Sequence, residues 1–417
     1  MSIPRCRTSS FLCRYQWACP TANNATSHFP TSDPTPVAAF RMPLPSEIRL
    51  RQILSGEARD PVAAVIRPLL ALATPFYATA VGLRNLGWDH GWFRAHMAPI
   101  PVVSLGNLTT GGTGKTPLAA FLARWFRDRG VRVCFLSRGY RSGESALNDE
   151  ALVLERLCPD VPHLQNPDRV AAAQTAREEL FSQLLLLDDG FQHRRLKRDL
   201  DIVLIDATNP WGYGALLPRG LLREPRSSLK RAHLIILTRV DLIPPDRLEQ
   251  LHTTIARIAA NVPRVEVAFA TDQFVNWSGT VAESLPGRVG ALSAIGNPDS
   301  FVQTLVRHGL SIASRRDYPD HYRYQRDDIR AIGDWARSEH LDAIATTRKD
   351  LVKLQIDETA GVPIWCVDQR VEVRAGAESI AAALSRLLPL VPPDPDDGAD
   401  DRIGSTDEAL PATGDST

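Results

Sequence analysis

Gly111, Gly112 and Gly114 stand just ahead of Lys115 and Thr116 in the stretch Pro99–Pro117, PIPVVSLGNLTTGGTGKTP. Glycines in such a run let backbone amides close on phosphate oxygens, the lysine reaches the outer phosphates, and the threonine hydroxyl is a ligand for Mg²⁺. The chemistry expected is polyphosphate binding at a helix N-terminus, where unpaired N–H groups and the helix dipole both favour an anion. The loop that would do this runs through Thr109, Thr110, Gly111, Gly112, Thr113, Gly114, Lys115 and Thr116. Thr109 stands where the strict pattern G-x-x-x-x-G-K-[ST] has glycine. The reading therefore leans on the apolar run Ile100–Leu105 before the loop and the helical pattern from Thr116 after it.

Four further clusters carry chemistry. Leu184–His193, LLLLDDGFQH, is an apolar strand pattern ending in carboxylates, the arrangement that holds Mg²⁺ or its water shell in phosphate enzymes. Asp188 and Asp189 are adjacent, so strand alternation would turn only one of them to the nucleotide, while His193 would contact phosphate or cap the loop. Leu217–Arg231 brings Arg219, Arg223, Arg226, Lys230 and Arg231 to the half of the chain that also holds Arg194, Arg195, Lys197 and Arg198. Guanidinium forks suit phosphate, so an anionic substrate is implied, with Glu224 either an ion-pair partner or a carboxylate on the Mg²⁺ side. Thr238-Arg239-Val240-Asp241 resembles a guanine-reading [NT]-K-x-D element, with arginine in the lysine position. Phosphorylating a hydroxyl also needs a base, and Asp149 in Asn148-Asp149-Glu150 and His321 in Tyr318–Tyr322 are the candidates.

The elements that position these groups alternate. A helix is expected over Thr116–Arg129, with Leu118, Phe121, Leu122 and Trp125 at helical spacing, and strands over Val131–Leu136, Gln183–Leu187, Asp201–Asp206 and His233–Thr238. Runs apolar on both faces fit a parallel sheet covered by helices, an α/β fold of the P-loop NTPase type. After a join near Asp272–Gly287, a second and smaller α/β unit is expected: strands Val289–Ala294, Leu310–Ser314, Ala343–Thr346 and Pro363–Val367, with helices near Pro298–Gly309 and Arg326–Ser338. The organisation expected is an unstructured extension over 1–45, a membrane-associated helical segment over 46–96, a P-loop domain over 97–275, the smaller domain over 276–388 and an acidic unstructured tail over 389–417.

Met1–Arg41 has no continuous apolar core of the secretory type and reads as disordered or as an artefact of start-site choice, an orderly pattern beginning at Met42. Pro61–Leu83 carries one charge, Arg67, and its uninterrupted part Pro68–Leu83 would extend about 24 Å as a helix. That is short of a bilayer core of about 30 Å, Pro75 should kink it, and Arg84, Trp88, Trp92 and Arg94 form a rim behind it. The expectation is a helix that dips into one leaflet, with a buried core helix as the alternative. The 48 basic and 48 acidic residues balance, so nothing global attracts nucleic acid. Cys134, Cys158 and Cys366 are scattered without metal-type spacing and read as core thiols of a reducing compartment.

Taken together, GNLTTGGTGKTP, SRGY, LDDGFQH, PRGLLREPRSSL, IGNP and YPDHY resemble the tetraacyldisaccharide 4′-kinase family, the lipid A 4′-kinases of Gram-negative bacteria, over roughly Met42 to Leu388. The resemblance implies transfer of the ATP γ-phosphate, with Mg²⁺, to the 4′-hydroxyl of a tetraacylated glucosamine disaccharide 1-phosphate at the cytoplasmic face of the inner membrane. It implies two α/β domains joined by a β-hairpin and an amphipathic membrane helix, without a nucleic-acid or obligate protein partner. Residue by residue, it puts the P-loop on Thr109–Thr116, the catalytic Asp on Asp149 with His321 as its partner, the paired aspartates on Asp188 and Asp189, and the substrate- or metal-side Arg-Glu on Arg223 and Glu224. Arg141-Ser142 replaces a glycine pair common after SRGY, and Thr347-Arg348-Lys349-Asp350 has arginine where the family usually has glutamate. The residues alone also leave open a P-loop GTPase or metallochaperone, or a membrane-bound nucleotide sensor.

Overall fold

The structure, a computed structural model, describes residues 47–139, 149–295, 298–319 and 322–392. The extension over 1–45, the residues from 393 on, Tyr140–Asn148 and the Asp320–His321 pair lie outside the described residues. Helices α1 (Glu47–Ser55) and α2 (Pro61–Asp89) open the described chain. A first series follows: β1 (Val102–Asn107), α3 (Lys115–Arg127), β2 (Val133–Ser137), α4 (Asp149–Leu157), β3 (His163–Gln165), α5 (Arg169–Glu178), β4 (Leu184–Asp188), β5 (Leu200–Asp206), β6 (Leu234–Thr238), α6 (Pro245–Ile258) and β7 (Arg264–Val275). The second comprises β8 (Val281–Ala282), β9 (Val289–Ser293), α7 (Pro298–Arg307), β10 (Ile312–Asp317), α8 (Arg326–Ser338), β11 (Ala343–Thr346), α9 (Arg348–Leu354), β12 (Glu358–Thr359), β13 (Val362–Ala375) and α10 (Ala377–Ser385).

Both series share one sheet of 13 strands, ordered β10-β9-β11-β13-β7-β6-β5-β1-β4-β2-β3, with β8 on β7 and β12 on β13. Along that path all pairs are parallel except β13 with β7. Alternation along the strands explains why helices cover both faces. Leu184 and Leu186 of β4 enter one core with Leu118, Leu122 and Phe126 of α3, whereas Leu185 and Leu187 enter another with Ala172, Ala173 and Ala176 of α5. A strand whose side chains are apolar on both sides can only be buried twice. The thiols Cys134 and Cys158 are free and buried in these cores, and Cys366 is free and buried in a further one with Ile344 and Ile364.

The expected strands and helices appear with shifts of a few residues, but β7 and most of β13 differ from expectation. The strand expected over Pro363–Val367 continues to Ala375, paired with a long β7 that lies where a join was expected to start. Their sequences, RVEVAFATDQFV and VDQRVEVRA, mix charge with apolar residues because one side of this ribbon meets the core through Val265, Val267, Val371 and Val373 while the other is polar. The start of the acidic tail is also folded: a turn of 3₁₀ helix covers Leu388–Leu390, and the Pro392 carbonyl accepts a 2.7 Å hydrogen bond from Gln183 Nε2.

Helix α2 is longer than expected. It runs unbroken through Pro68 and Pro75 for 29 residues, about 43 Å. Asp60 caps it by accepting from the amides of Val62 and Ala63. Val65, Leu69, Leu72 and Phe76 are exposed, Phe76 by 77%, so this is not a buried core helix. Length and composition suffice to cross a bilayer. Its other side is tied to the sheet body: Tyr77 OH donates to the Arg223 carbonyl at 3.0 Å, Arg84 to the Gln192 carbonyl, and Asn85 Nδ2 to Glu224 at 3.3 Å. Arg84 thus turns inward and leaves the expected rim, while Trp92 stays 68% exposed.

Candidate active site

Strand β1 ends at the buried Asn107, and the glycine loop carries the chain into α3. Gly114 caps α3 in the left-handed region at φ 86°, and a Cβ there would lie 2.2 Å from Phe269 Cζ, so only glycine fits. Thr109 needs no such freedom. It forms an antiparallel bridge with Leu222, in ordinary extended pairing, which explains why threonine is accepted in the usual glycine position. The neighbouring amides extend that seam: Thr110 N donates to Leu221 O at 2.8 Å and Arg223 N to Leu108 O at 2.7 Å. From the other side Thr238 Oγ1 holds Thr113 O at 3.0 Å, and Arg239 Nη1 holds Gly112 O at 3.0 Å while pairing with Asp206. The Thr238–Asp241 stretch thus braces the loop through its arginine.

Three charged groups converge beside the loop. Lys115 Nζ lies 3.4 Å from Asn107 Oδ1 and 3.7 Å from Asp189 Oδ1, and Arg223 Nη1 donates to Asp189 Oδ2 at 2.7 Å. Burial works against the Asp189 charge, but Lys115 and Arg223 outweigh it and hold the carboxyl below its ordinary range. Asp188 is fully buried, and burial raises it to about 6, with Glu150 and Asp189 adding to the rise and Lys115 opposing it. The alternation argument that only one aspartate can face the site does not apply. Asp189 leaves the strand at φ 50°, and Lys115 acts on both carboxylates. Asp188 Oδ1 is buried with no hydrogen-bond partner among the described residues.

Around this centre the other candidates take different places. Thr116 follows Lys115 in the first turn of α3, half-buried. Glu224 is fully buried, its Oε2 accepting from Arg231 Nη2 at 2.6 Å and from Asn85, while its Oε1 has no hydrogen-bond partner among the described residues. His193 is half-buried, its Nε2 without a hydrogen-bond partner among the described residues, and burial together with Arg169, Arg198, Arg195 and Arg84 lowers it to about 4, leaving a neutral ring. Its backbone closes the loop, N–H to Gly190 O at 2.9 Å. Asp149 opens α4, with Oδ2 2.8 Å from Lys353 Nζ, and the neighbouring Glu150 is 3.5 Å from Lys349. His321 lies outside the described residues, but beside it Tyr318, Tyr322 and Tyr324 pack ring to ring, and Tyr324 OH donates to Asp350 at 3.2 Å.

Two buried groups here escaped the sequence reading. Arg169 donates from Nη2 to the Asp188 carbonyl at 3.2 Å, and burial lowers its pKa despite both aspartates. A cation in the first turn of a helix opposes the dipole, and that was its one available signal. Lys353 had none, because its partner is brought to it only by the fold.

A family model described as tetraacyldisaccharide-1-P 4′-kinase matches residues 66–388. The tetraacyldisaccharide 4′-kinase of Anaeromyxobacter sp. (strain K) is 40% identical over 366 residues, 82% of this chain and 96% of that one. That of Syntrophus aciditrophicus (strain SB) is 34% identical over 347 residues, 76% of this chain and 93% of that one. Among solved structures, LpxK from Aquifex aeolicus in complex with ATP superposes with a TM-score of 0.65 at 29% identity, covering 77% of this chain and 99% of that one. The glycine loop, the paired aspartates and the arginine seam described above all fall within the matched segment, and the chain belongs to the tetraacyldisaccharide 4′-kinase family.

Proposed function

We propose that this chain transfers the γ-phosphate of ATP to the 4′-hydroxyl of a tetraacylated glucosamine disaccharide 1-phosphate, giving the doubly phosphorylated lipid (lipid IVA) of lipid A synthesis. The observation that carries this reading is the meeting of Lys115, Arg223, Asp188 and Asp189 at an uncapped helix N-terminus, with Asp149 at the same sheet end. Thr109–Thr116 wraps the triphosphate, and Lys115 and Arg223 move from their shared carboxylate to phosphate oxygens. Asp149, partnered by His321, takes the proton as the sugar O–H bond breaks; a new O–P bond forms, the bond from the γ-phosphorus to the bridging oxygen breaks, and ADP leaves. His193, neutral and open at Nε2, contacts substrate. Positioning and charge supply most of the acceleration in such transfers.

The residues present fit Mg²⁺, a hard cation that prefers oxygen donors. Asp188 offers a buried carboxylate oxygen with no hydrogen-bond partner among the described residues, and Asp189 and the Thr116 hydroxyl stand by it in sequence and charge. These three would hold the ion, whose contribution when bound is to neutralise phosphate charge. Glu224, paired with Arg231 through Oε2, serves to place Arg223 and has its other oxygen on the Mg²⁺ side.

The apolar side of α2 enters the cytoplasmic leaflet of the inner membrane, while Tyr77, Arg84 and Asn85 keep its other side on the body. Segments 97–275 and 276–388 act as nucleotide-binding and smaller domains across the β7–β13 ribbon. The test is incubation with labelled ATP and a lipid disaccharide 1-phosphate. A doubly phosphorylated product is expected; no transfer, or GTP outcompeting ATP, would defeat the proposal.

A further inference from the structure

Helix α9 presents two lysines one turn apart to the first turn of α4, and the two contacts differ in kind. Lys349 meets Glu150 at 3.5 Å with both side chains about one-third exposed, a screened surface pair. Lys353 is 8% exposed and lies 2.8 Å from Asp149 Oδ2, itself only 17% exposed. Screening is weaker there, so this pair interacts more strongly than the exposed one.

The second neighbour of Lys353 is Asp350, with Oδ1 at 4.0 Å. Asp350 is fully buried and already supplied with donors: Thr347 Oγ1 at 2.6 Å, Ala294 N at 3.1 Å and Tyr324 OH at 3.2 Å. Among the described residues Lys353 Nζ has no hydrogen-bond partner, so its environment is the ion pair with Asp149 at 2.8 Å. A buried ammonium is expensive to keep unless it is paired, and the carboxylate 2.8 Å from this one is that of Asp149. The cluster of Tyr318, Tyr322 and Tyr324 is connected to Asp149 through Tyr324, Asp350 and Lys353, elements drawn from both series of the fold.

We propose that Lys353 is a positioning residue for the phosphoryl transfer, holding one carboxylate oxygen of Asp149 in place for the acceptor hydroxyl. This rests on Asp149 being the base. Lys353 forms and breaks no covalent bond; it acts by fixing where the carboxylate sits relative to the acceptor hydroxyl.

The test is a double-mutant cycle on the full chain with labelled ATP and lipid disaccharide 1-phosphate, alongside melting curves and nucleotide binding. Lys353→Met should lower kcat about 30-fold or more, with KM for ATP changed by less than about twofold, since acid–base groups carry about 10²–10⁴-fold in rate. On an Asp149→Asn background the same change should move kcat by less than about twofold, because the partner it acts through is already disabled. Lys353→Arg, which keeps the charge, should recover part of the loss, and Lys349→Met should stay within about twofold of wild type. If Lys353→Met melts without a cooperative transition, Lys353→Gln takes its place in the cycle. Wild-type kcat in the Lys353 variant, or losses that multiply in the double variant, would overturn the inference. If Asp149→Asn itself turns over normally, the reading of Asp149 as base fails first, and the two failures are told apart by that single variant.

Discussion

The sheet holds two strand-to-helix crossovers that differ at the point where the helix begins. At the end of β1 the helix start is left open: Gly114 provides no side-chain cap, and the first amides of α3 face the loop that Lys115 enters. At the end of β11 it is closed. Thr347 caps α9 by accepting from the Asp350 amide, and the Asp350 carboxylate is buried over the same turn, taking the Thr347 hydroxyl and the Ala294 amide from the next strand. Both are helix N-termini following parallel strands, and both would attract an anion. In one the anion is supplied by the chain itself and is permanent; in the other, amides and lysine are left for a ligand. The local motif creates the potential for phosphate binding, and the side chains at the first turn decide whether it is spent on folding.

This contrast can be broken most forcefully at the open end. Lys115→Ala should reduce phosphate transfer by three orders of magnitude or more, measured as labelled product, since the main fixed charge facing the phosphates is removed. The fold should survive, because the partners of the lysine, Asn107 and the two aspartates, are polar groups at the site and not part of the apolar core. Next in size, Asp149→Ala should cost about 10²–10⁴-fold in kcat with nucleotide affinity retained, and His321→Ala should follow the same direction. Equal loss of ATP binding in either would argue that the acceptor and donor ends are not separable.

The third effect is on stability. Asp188 has a folded-state pKa raised to about 6 from 3.8, so its native form holds a proton that the unfolded chain has already lost between those values. Its contribution is therefore full below about pH 4 and is lost as pH climbs through about 6. In metal-free buffer, the difference in unfolding free energy between wild type and Asp188→Asn should shift by on the order of 2–3 kcal/mol across that window. A flat difference curve would show that the carboxylate is solvated after all. The smallest effect is at the closed end: Thr347→Ala should cost about 1 kcal/mol of stability, as cap losses do, with kcat within about threefold. A large fall in turnover without a fall in melting temperature would abolish the distinction between the two helix starts.

Legibility in the sequence followed the range of the forces involved. The strands β1, β4, β5 and β6 could be read because runs apolar on both faces have few alternatives to a covered parallel sheet. The ribbon β7–β13 could not, since its mixed faces make sense only once each strand has the other as neighbour. Helix α2 was read too short because Pro68 and Pro75 count against a helix locally, whereas Arg84 and Asn85 extend it by finding partners on the sheet body. For Asp188 and Asp189 the alternation rule was sound within the strand and stopped applying one residue past it, at a left-handed aspartate.

What the chain's letters determined unaided was the chemistry available: glycines that free the backbone, a lysine after them, carboxylates after an apolar run, and an apolar helix ahead of them all. These are local properties of backbone freedom, charge and hydrophobic period. Tertiary structure decided the partners. That Arg223 would share Asp189 with Lys115, that Glu224 would be paired with Arg231, and that Lys353 would lie against Asp149 depends on strand order and helix packing, which place distant residues within a few ångströms by burying apolar surface that carries no memory of which charges ride on it.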